Sequence, residues 1–294
     1  MNIIKNRYIY FAISIIIIAV GLGFMFYNNS QGKGFFNYDI QFTGGTSIEI
    51  SLNGKEVKND DIENLLKDSI NIDNAQIQIV GDGKSVIIKM RSLTQDERIS
   101  FTDAISKKYD LTDKDYSIRD ISATISNEMK RTSFLAIIVS CIAMLIYVSF
   151  RFKNFKTGAS AIIALVHDAL ILIAFYAIFR IPLNDAFIAA ILTVLGYSIN
   201  ATIVIFDRIR ENKGRAGKID ENLINNGINQ SLRRSIFTSL TTFFTVISLY
   251  IFGVESVKIF ALPIAIGIIC GTYSSIFIAG SIWYILNGVK PKNN

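Results

Sequence analysis

The chain is poor in charge and in reactive side chains. Only 18% of its 294 residues are charged, while 51% are hydrophobic, and the mean hydropathy is +0.39. That balance excludes an ordinary soluble domain, yet it leaves too much charge for a chain lying wholly in a bilayer. Two cysteines, Cys141 and Cys270, both sit inside apolar runs, which excludes a disulfide-stapled secreted scaffold. A single histidine, His167, argues against a histidine-rich zinc centre. No Gly-X-Y period, proline-rich tract or Gln/Asn tract occurs, so collagen-like and low-complexity readings fall away. Gly-x-Ser-x-Gly, His-Glu-x-x-His and Cys-x-x-Cys are missing as well. No basis for a hydrolase or metal enzyme remains, and no catalytic residue, metal or cofactor is expected. Gly83-Lys84-Ser85 resembles the end of a P-loop, but the glycine needed five residues earlier is Gln78, so a hairpin turn is the better reading.

What the chain has in quantity is long apolar runs. Six are long enough to cross a bilayer, which takes about 20 residues. Tyr8–Tyr27, Thr132–Phe150, Ala186–Phe206, Ser235–Val254 and Ile259–Leu286 carry no charge, and Thr157–Phe179 carries only His167 and Asp168 near its middle. The first run exceeds the h-region of a signal peptide, and no Ala-x-Ala site follows it, so it is expected to remain as a helix. Lysine and arginine in the short loops set the orientation. One side collects 14 of them, from Lys5 and Arg7 through Arg151, Arg208, Arg210, Arg233 and Arg234 to Lys290 and Lys292; the short loops of the other side have only Arg180 and Lys258. Both termini are therefore expected in the cytoplasm. The +6 net charge follows from this topology, because the long segment 28–131 holds 14 basic and 17 acidic residues. Nucleic acid is not an expected partner.

The expected division is residues 1–27 as cytoplasmic N-terminus and first span, 28–131 as an outside domain, 132–286 as spans two to six, and 287–294 as a cytoplasmic tail. Within the outside segment Thr46–Leu52 alternates as a strand, with Ile48, Ile50 and Leu52 on one face. Asp60–Ile70 has amphipathic helical spacing. Ala75–Val80 and Ser85–Arg91 read as strands joined at Gly81-Asp82-Gly83. Thr94-Gln-Asp-Glu97 is a capping box that opens a helix to about Tyr109, and Tyr116–Ile121 reads as a last strand. The order β-α-β-β-α-β predicts a ferredoxin-like α+β domain between the first two helices of a polytopic six-helix membrane protein.

Polar groups inside the spans are the candidates for function, because lipid penalises them. Asp168 lies about mid-span. It is either a coupling carboxylate or a structural one paired with another helix, through His167. Gly196, Asn200, Ile203 and Asp207 share one helical face of span four; Asn200 is either interhelical glue or part of a polar path. Asp207 and Arg208 stand at the cytoplasmic exit as a gate or cap. Arg234 opens span five as a cationic partner for a carboxylate. It precedes a hydroxyl stripe at Thr238, Thr241 or Thr242, Thr245 and Ser248 that means either close packing or a wet path. Gly267-x-x-x-Gly271 gives span six a small-residue face.

These residues resemble a known family. Phe42-Thr43-Gly44-Gly45-Thr46 after Asp39 is similar to the (D)FTGGT motif of the SecF protein translocase subunits. Gly196-Tyr-Ser-Ile-Asn200 with Ile205-Phe-Asp-Arg-Ile-Arg-Glu-Asn212 resembles that family's fourth-span signature, and Arg234–Thr242 and Gly271–Ala279 resemble its fifth- and sixth-span motifs. The resemblance runs from span one to span six. It implies six helices of the kind shared with resistance-nodulation-division transporters and residence in the bacterial cell membrane. It also implies partnership with SecD and the SecYEG channel, and help for a translocating unfolded polypeptide at the expense of the proton-motive force. One position departs: after Asn200 the family usually has an acidic residue, and here it is Ala201, which cannot bind a proton. Two rival readings are a small-molecule exporter of the same superfamily and a non-transporting scaffold or assembly subunit. The topology has a direct test. Lys84→Cys should react with an impermeant thiol reagent in intact cells and Lys213→Cys should not; the reverse pattern would overturn the orientation.

Overall fold

The structure is a computed structural model and describes residues 1–52, 57–73, 75–80, 85–216 and 219–288. It divides into two compact units, one of Met1–Asn37 with Leu135–Asn294 and one of Tyr38–Phe134.

In the second unit a short helix, α2 (Ile40–Thr43), precedes β1 (Gly45–Ser51), α3 (Asn59–Ile70), β2 (Gln76–Val80), β3 (Ser85–Met90), α4 (Gln95–Tyr109) and β4 (Tyr116–Ile121), with α1 (Arg7–Ser30) before them in the other unit. The strands form one antiparallel sheet in the order β2-β3-β1-β4, a split β-α-β arrangement. Alternation along each strand sends every second side chain to one face. Ile48 and Ile50 of β1 and Val86, Ile88 and Met90 of β3 are buried there against Ile62, Leu66 and Ile70 of α3 and Phe101, Ile105 and Tyr109 of α4. The expected turn at Gly81-Asp82-Gly83 lies outside the described residues, but β2 and β3 pair from Gln76↔Lys89 to Val80↔Ser85.

The segment from Asp39 to Thr46 is held by its backbone. Gly44 and Gly45 have φ of +77° and +141°, and a Cβ on Gly45 would stand 2.2 Å from the Met90 carbonyl oxygen. Only glycine fits that approach. The fully buried Thr46 hydroxyl donates to Asp120 Oδ1 at 2.6 Å and accepts the Leu93 N–H at 3.0 Å, and Arg98 pairs with the other Asp120 oxygen. Lys89 Nζ meets Asp39 Oδ2 at 2.5 Å.

The first unit holds α1, α6 (Phe155–Phe179), α7 (Asp185–Ala216), α8 (Glu221–Phe252), α9 (Glu255–Tyr273), a π-helical stretch (Ser274–Ala279) and α10 (Gly280–Leu286); α5 (Ala123–Phe152) enters it from Leu135 onward. Six helices are long and apolar enough to span a membrane, the sixth running Ser256–Leu286 through the π stretch. This is a polytopic helical membrane protein. Its core is made by α6, α7 and the sixth span, through residues such as Leu165, Leu172, Tyr176, Phe187, Leu195 and Ile276; α1, α5 and α8 bury far less of their apolar length. Close approach of α9 to α7 depends on small residues: a Cβ on Gly267 would stand 2.1 Å from a Val194 methyl. Helix α8 begins at Glu221, well before the apolar run, because Asp220 caps it by accepting the Leu223 N–H at 2.7 Å. That extension carries Asn225, whose side-chain oxygen accepts the N–H groups of Ile3 and Ile4 at 2.9 and 3.1 Å.

The capping box at α4 is reciprocal: Thr94 accepts the Glu97 N–H at 3.3 Å and Glu97 accepts the Thr94 N–H at 2.9 Å. Arg91 adds a bidentate pair at 2.6 and 3.0 Å. That guanidinium, then the Thr94 N–H, holds the Glu97 carboxyl down to about 2 from an ordinary 4.5. A carboxyl lowered on folding contributes above its ordinary value and loses the contribution as pH falls toward its folded one. Amide-exchange protection in the first turn of α4 should therefore decline between pH 4.5 and 2 more than in α3, and Glu97→Gln should remove the excess; an unchanged decline would refute the assignment.

Candidate functional site

The fully buried carboxylate of Asp168 organises the interior of the membrane unit. Helix α6 places it and His167 inside the bundle, where they are 0% and 8% exposed. Asp168 Oδ1 lies 3.0 Å from His167 Nδ1. Asp168 Oδ2 accepts the Ser198 hydroxyl of α7 at 2.6 Å and the Ser274 hydroxyl of the sixth span at 2.8 Å. His167 Nε2 lies 2.8 Å from Ser14 Oγ of α1. Its ring stacks on Tyr273 with centroids 6.0 Å apart, and the Tyr273 hydroxyl donates to the Tyr10 carbonyl of α1 at 2.8 Å. Four spans thus converge on two adjacent residues.

The convergence has local causes. A Cβ on Gly271 would meet Ser198 Cβ at 2.9 Å, so the glycine is what lets α9 carry Ser274 within reach of the carboxylate that Ser198 already touches. The π-helical stretch starting at Ser274 widens the turn there, and such turns often accompany functional positions. A carboxylate with three donors meets the requirement for a buried charge. The network also tolerates two proton counts. With neutral His167, Nδ1–H donates to Asp168 and Nε2 accepts from Ser14; with imidazolium both nitrogens donate and the Ser14 hydroxyl turns to accept.

The other sequence candidates fall elsewhere. Asn200, Ala201 and Arg234 line one cleft of about 110 Å³ with Tyr197, Ser235 and Thr238, between α7 and α8. None of the residues bonded to Asp168 lines this cleft. Among the described residues Arg234 makes no ion pair. Asp207 and Arg208, expected as a gate or cap, bond to different neighbours. Asp207 accepts from Arg151 of α5 at 3.1 Å, whereas Arg208 donates to Gln230 of α8 and to Glu211, both at 2.7 Å. An exposed pair such as Arg151–Asp207 contributes about 0–1 kcal/mol. Gly196 is exposed and a Cβ there would touch nothing within 4 Å. Of the hydroxyl stripe, Thr238 lines this cleft, and Thr241, Thr242, Thr245 and Ser248 donate to carbonyls three or four residues back in α8, at 2.7–3.1 Å.

Sequence reading singled out Asp168 and His167 but missed Ser14 and Ser198 as partners and saw Ser274 only as a small residue. The available signal was helical spacing: Ser274 lies three residues after Gly271, and Ser198 lies two residues before Asn200 but on the opposite face.

Residues 101–289 match the family model described as protein export membrane protein SecD/SecF, C-terminal. The chain is 36% identical to the protein translocase subunit SecF of Petrotoga mobilis, over 95% of this chain and 92% of that one. It is also 36% identical to that of Thermodesulfovibrio yellowstonii, over 97% and 94%. The chain belongs to the SecF family. Among longer relatives, the SecDF subunit of Brucella abortus is 35% identical over 87% of this chain, which spans 34% of it. The solved SecDF of Thermus thermophilus, described as a translocon-associated membrane protein, superposes with a TM-score of 0.86 at 30% identity, over 98% of this chain and 39% of that one. The SecF-like chain therefore spans little more than a third of these SecDF proteins, and its own buried polar centre lies wholly inside that part.

Removing the acceptor and removing only the charge should differ. Asp168→Ala strands three donors in a dry interior, each at about 1–3 kcal/mol. Asp168→Asn keeps an acceptor for His167 and lets both serine hydroxyls turn toward the amide. Thermal unfolding in detergent should show a large loss for the alanine variant and a small one for the asparagine variant; equal losses would remove the network's structural role.

Proposed function

We propose that this chain is the SecF-type subunit of a protein-export translocase, working with SecD and the SecYEG channel. It promotes late passage of an unfolded polypeptide with the proton-motive force rather than by bond-breaking catalysis. In this reading both termini are cytoplasmic and the α+β unit, ferredoxin-like in strand order, faces outward in the bacterial cell membrane. The 14-to-two bias of basic residues supports that orientation. The SecDF chains that contain a region like this one support SecD as the partner.

The observation that carries proton coupling is the Asp168–His167–Ser14 arrangement, a carboxylate and an imidazole of α6 at 3.0 Å, sealed inside the spans and bonded to three others. Ionisable groups at that depth are expensive and commonly serve ion pathways. A change in proton count redirects the Ser14 hydroxyl and alters how tightly α1 is held to α6. Helix α1 precedes the α+β unit in sequence and α5 follows it, so a change at either helix reaches the unit along the chain. One charge crossing the membrane supplies about 2.3 kcal/mol per 100 mV, enough to shift a two-state element appreciably.

The test is export of a reporter by vesicles holding this chain, SecD and SecYEG, with and without an uncoupler. The wild type should accelerate late translocation only while the gradient is present, and Asp168→Asn should accelerate it in neither condition. Wild-type stimulation that ignores the uncoupler would leave a scaffold role and remove proton coupling.

A further inference from the structure

We propose that the pocket between the α5–α6 turn, α7 and α10 binds the phosphodiester headgroup of an anionic phospholipid. The proposal is independent of proton coupling at Asp168 and survives if that reading fails.

The pocket encloses about 220 Å³, room for a phosphate group with several waters at about 30 Å³ each. Its floor is apolar. Phe152, Phe206, Ile209 and Trp283 line it and are all buried, and the Phe206 ring meets those of Phe152 and Trp283 with centroids 6.1 and 6.2 Å apart. Its rim is basic. Lys153, Arg210 and Lys213 stand there exposed, and the lining has no aspartate or glutamate. The acids closest in sequence are engaged elsewhere, Asp207 by Arg151 at 3.1 Å and Glu211 by Arg208 at 2.7 Å. Among the described residues none of the three rim cations makes an ion pair.

The backbone adds to the positive charge. Only Lys153 and Asn154 separate α5 from α6, and Lys153 takes a φ of +50°, a region that residues with a side chain seldom occupy. Asn154 caps α6 by accepting the Lys156 N–H at 2.9 Å. The positive end of a 25-residue helix therefore opens at the same rim as the three cations. Phosphate oxygens suit such a rim, because guanidinium and ammonium groups both donate to them with charge assistance. A zwitterionic headgroup would bring its own ammonium among like charges, which repel it.

The surroundings favour a lipid over a free phosphate. Phe150 and Phe155, just before and just after the lining residues of the turn, are 84% and 68% exposed. The apolar window of α5 is only 6% buried inside the protein. An acyl chain thus has bare apolar surface to lie on beside the place where its headgroup is held.

Trp283 is the one tryptophan of the chain, and its Nε1 donates to Thr157 Oγ1 at 2.9 Å, so it reports from a fixed position in the floor. The full chain is reconstituted in phosphatidylcholine nanodiscs with a minor fraction of lipid spin-labelled high on the acyl chain, either phosphatidylglycerol or phosphatidylcholine. Quenching of Trp283 by labelled phosphatidylglycerol should saturate and should exceed quenching by labelled phosphatidylcholine at equal fractions. Each basic group beside an anionic lipid is worth roughly fivefold in affinity. Arg210→Gln should shift the saturation by about that factor. Replacing Lys153, Arg210 and Lys213 together by Gln should make the two lipids quench equally, with quenching by labelled phosphatidylcholine unchanged because Trp283 keeps its place. Lys5→Gln, which removes an exposed charge outside the pocket, should leave the excess intact. Millimolar inorganic phosphate should not reduce the excess; displacement would reassign the pocket to a free phosphate. Equal quenching by the two lipids in the wild type, or an excess indifferent to both Arg210→Gln and the triple replacement, would overturn the proposal.

Discussion

Placing a carboxylate in the middle of a bilayer-spanning helix is the constraint that shapes this membrane unit. Lipid offers no donors, so an ionised Asp168 must find all of its partners in neighbouring helices. They come from three directions: His167 on its own helix, Ser198 on α7 and Ser274 on the sixth span. Each partner fixes a distance, and the distances in turn require small residues where helices meet. Gly267 and Gly271 admit Val194 and Ser198 so closely that a methyl on either glycine would clash. The packing of α9 on α7 and the solvation of Asp168 are thus one problem with one solution, and the π turn at Ser274 belongs to it.

The α+β unit is governed by a different economy. Its polar groups cap helices and pair between elements. Its helices are ordered by the Thr94–Glu97 box and its sheet by alternation of Ile48, Ile50, Val86 and Ile88. The glycine pair at Gly44 and Gly45 serves backbone geometry at the start of β1, and Thr46 ties that strand to Leu93 and Asp120. Gly44, Gly45 and Thr46 of the FTGGT-like motif each meet one of these structural needs.

Much of this was legible in the sequence, and the reasons for the exceptions are physical. Periodicity is a local property, and it placed the strands and longer helices of the α+β unit within a few residues and found all six apolar spans, although α5, α7 and α8 run well beyond their apolar stretches. The capping box was readable because its two partners are three residues apart. The Asp168 network was only half readable. An aspartate in an apolar run announces itself, whereas a serine there is common and cheap, so Ser14 and Ser198 looked like any other small residue. Their importance arises from tertiary convergence across 153 and 30 positions of sequence, which no helical pattern encodes. Arg234 was readable as a candidate, but the α7 residues that line its cleft, Tyr197, Asn200, Ala201 and Val204, offer no carboxylate. The long α8 start was missed because the residues after Asp220 are polar and their helix is ordered by a cap and by contacts to the N-terminus.

The central claim is that the Asp168–His167 pair changes its proton count inside the bundle while staying bonded to the same helices. Infrared difference spectroscopy of the reconstituted translocase under an imposed pH gradient reads this directly, through the carboxylate stretches of Asp168 and the ring modes of His167. The account predicts gradient-dependent carboxylate bands in the wild type that are missing in Asp168→Asn and shifted in Ser198→Ala. Bands unchanged in Asp168→Asn, or no gradient-dependent carboxylate or imidazole band at all, would contradict it.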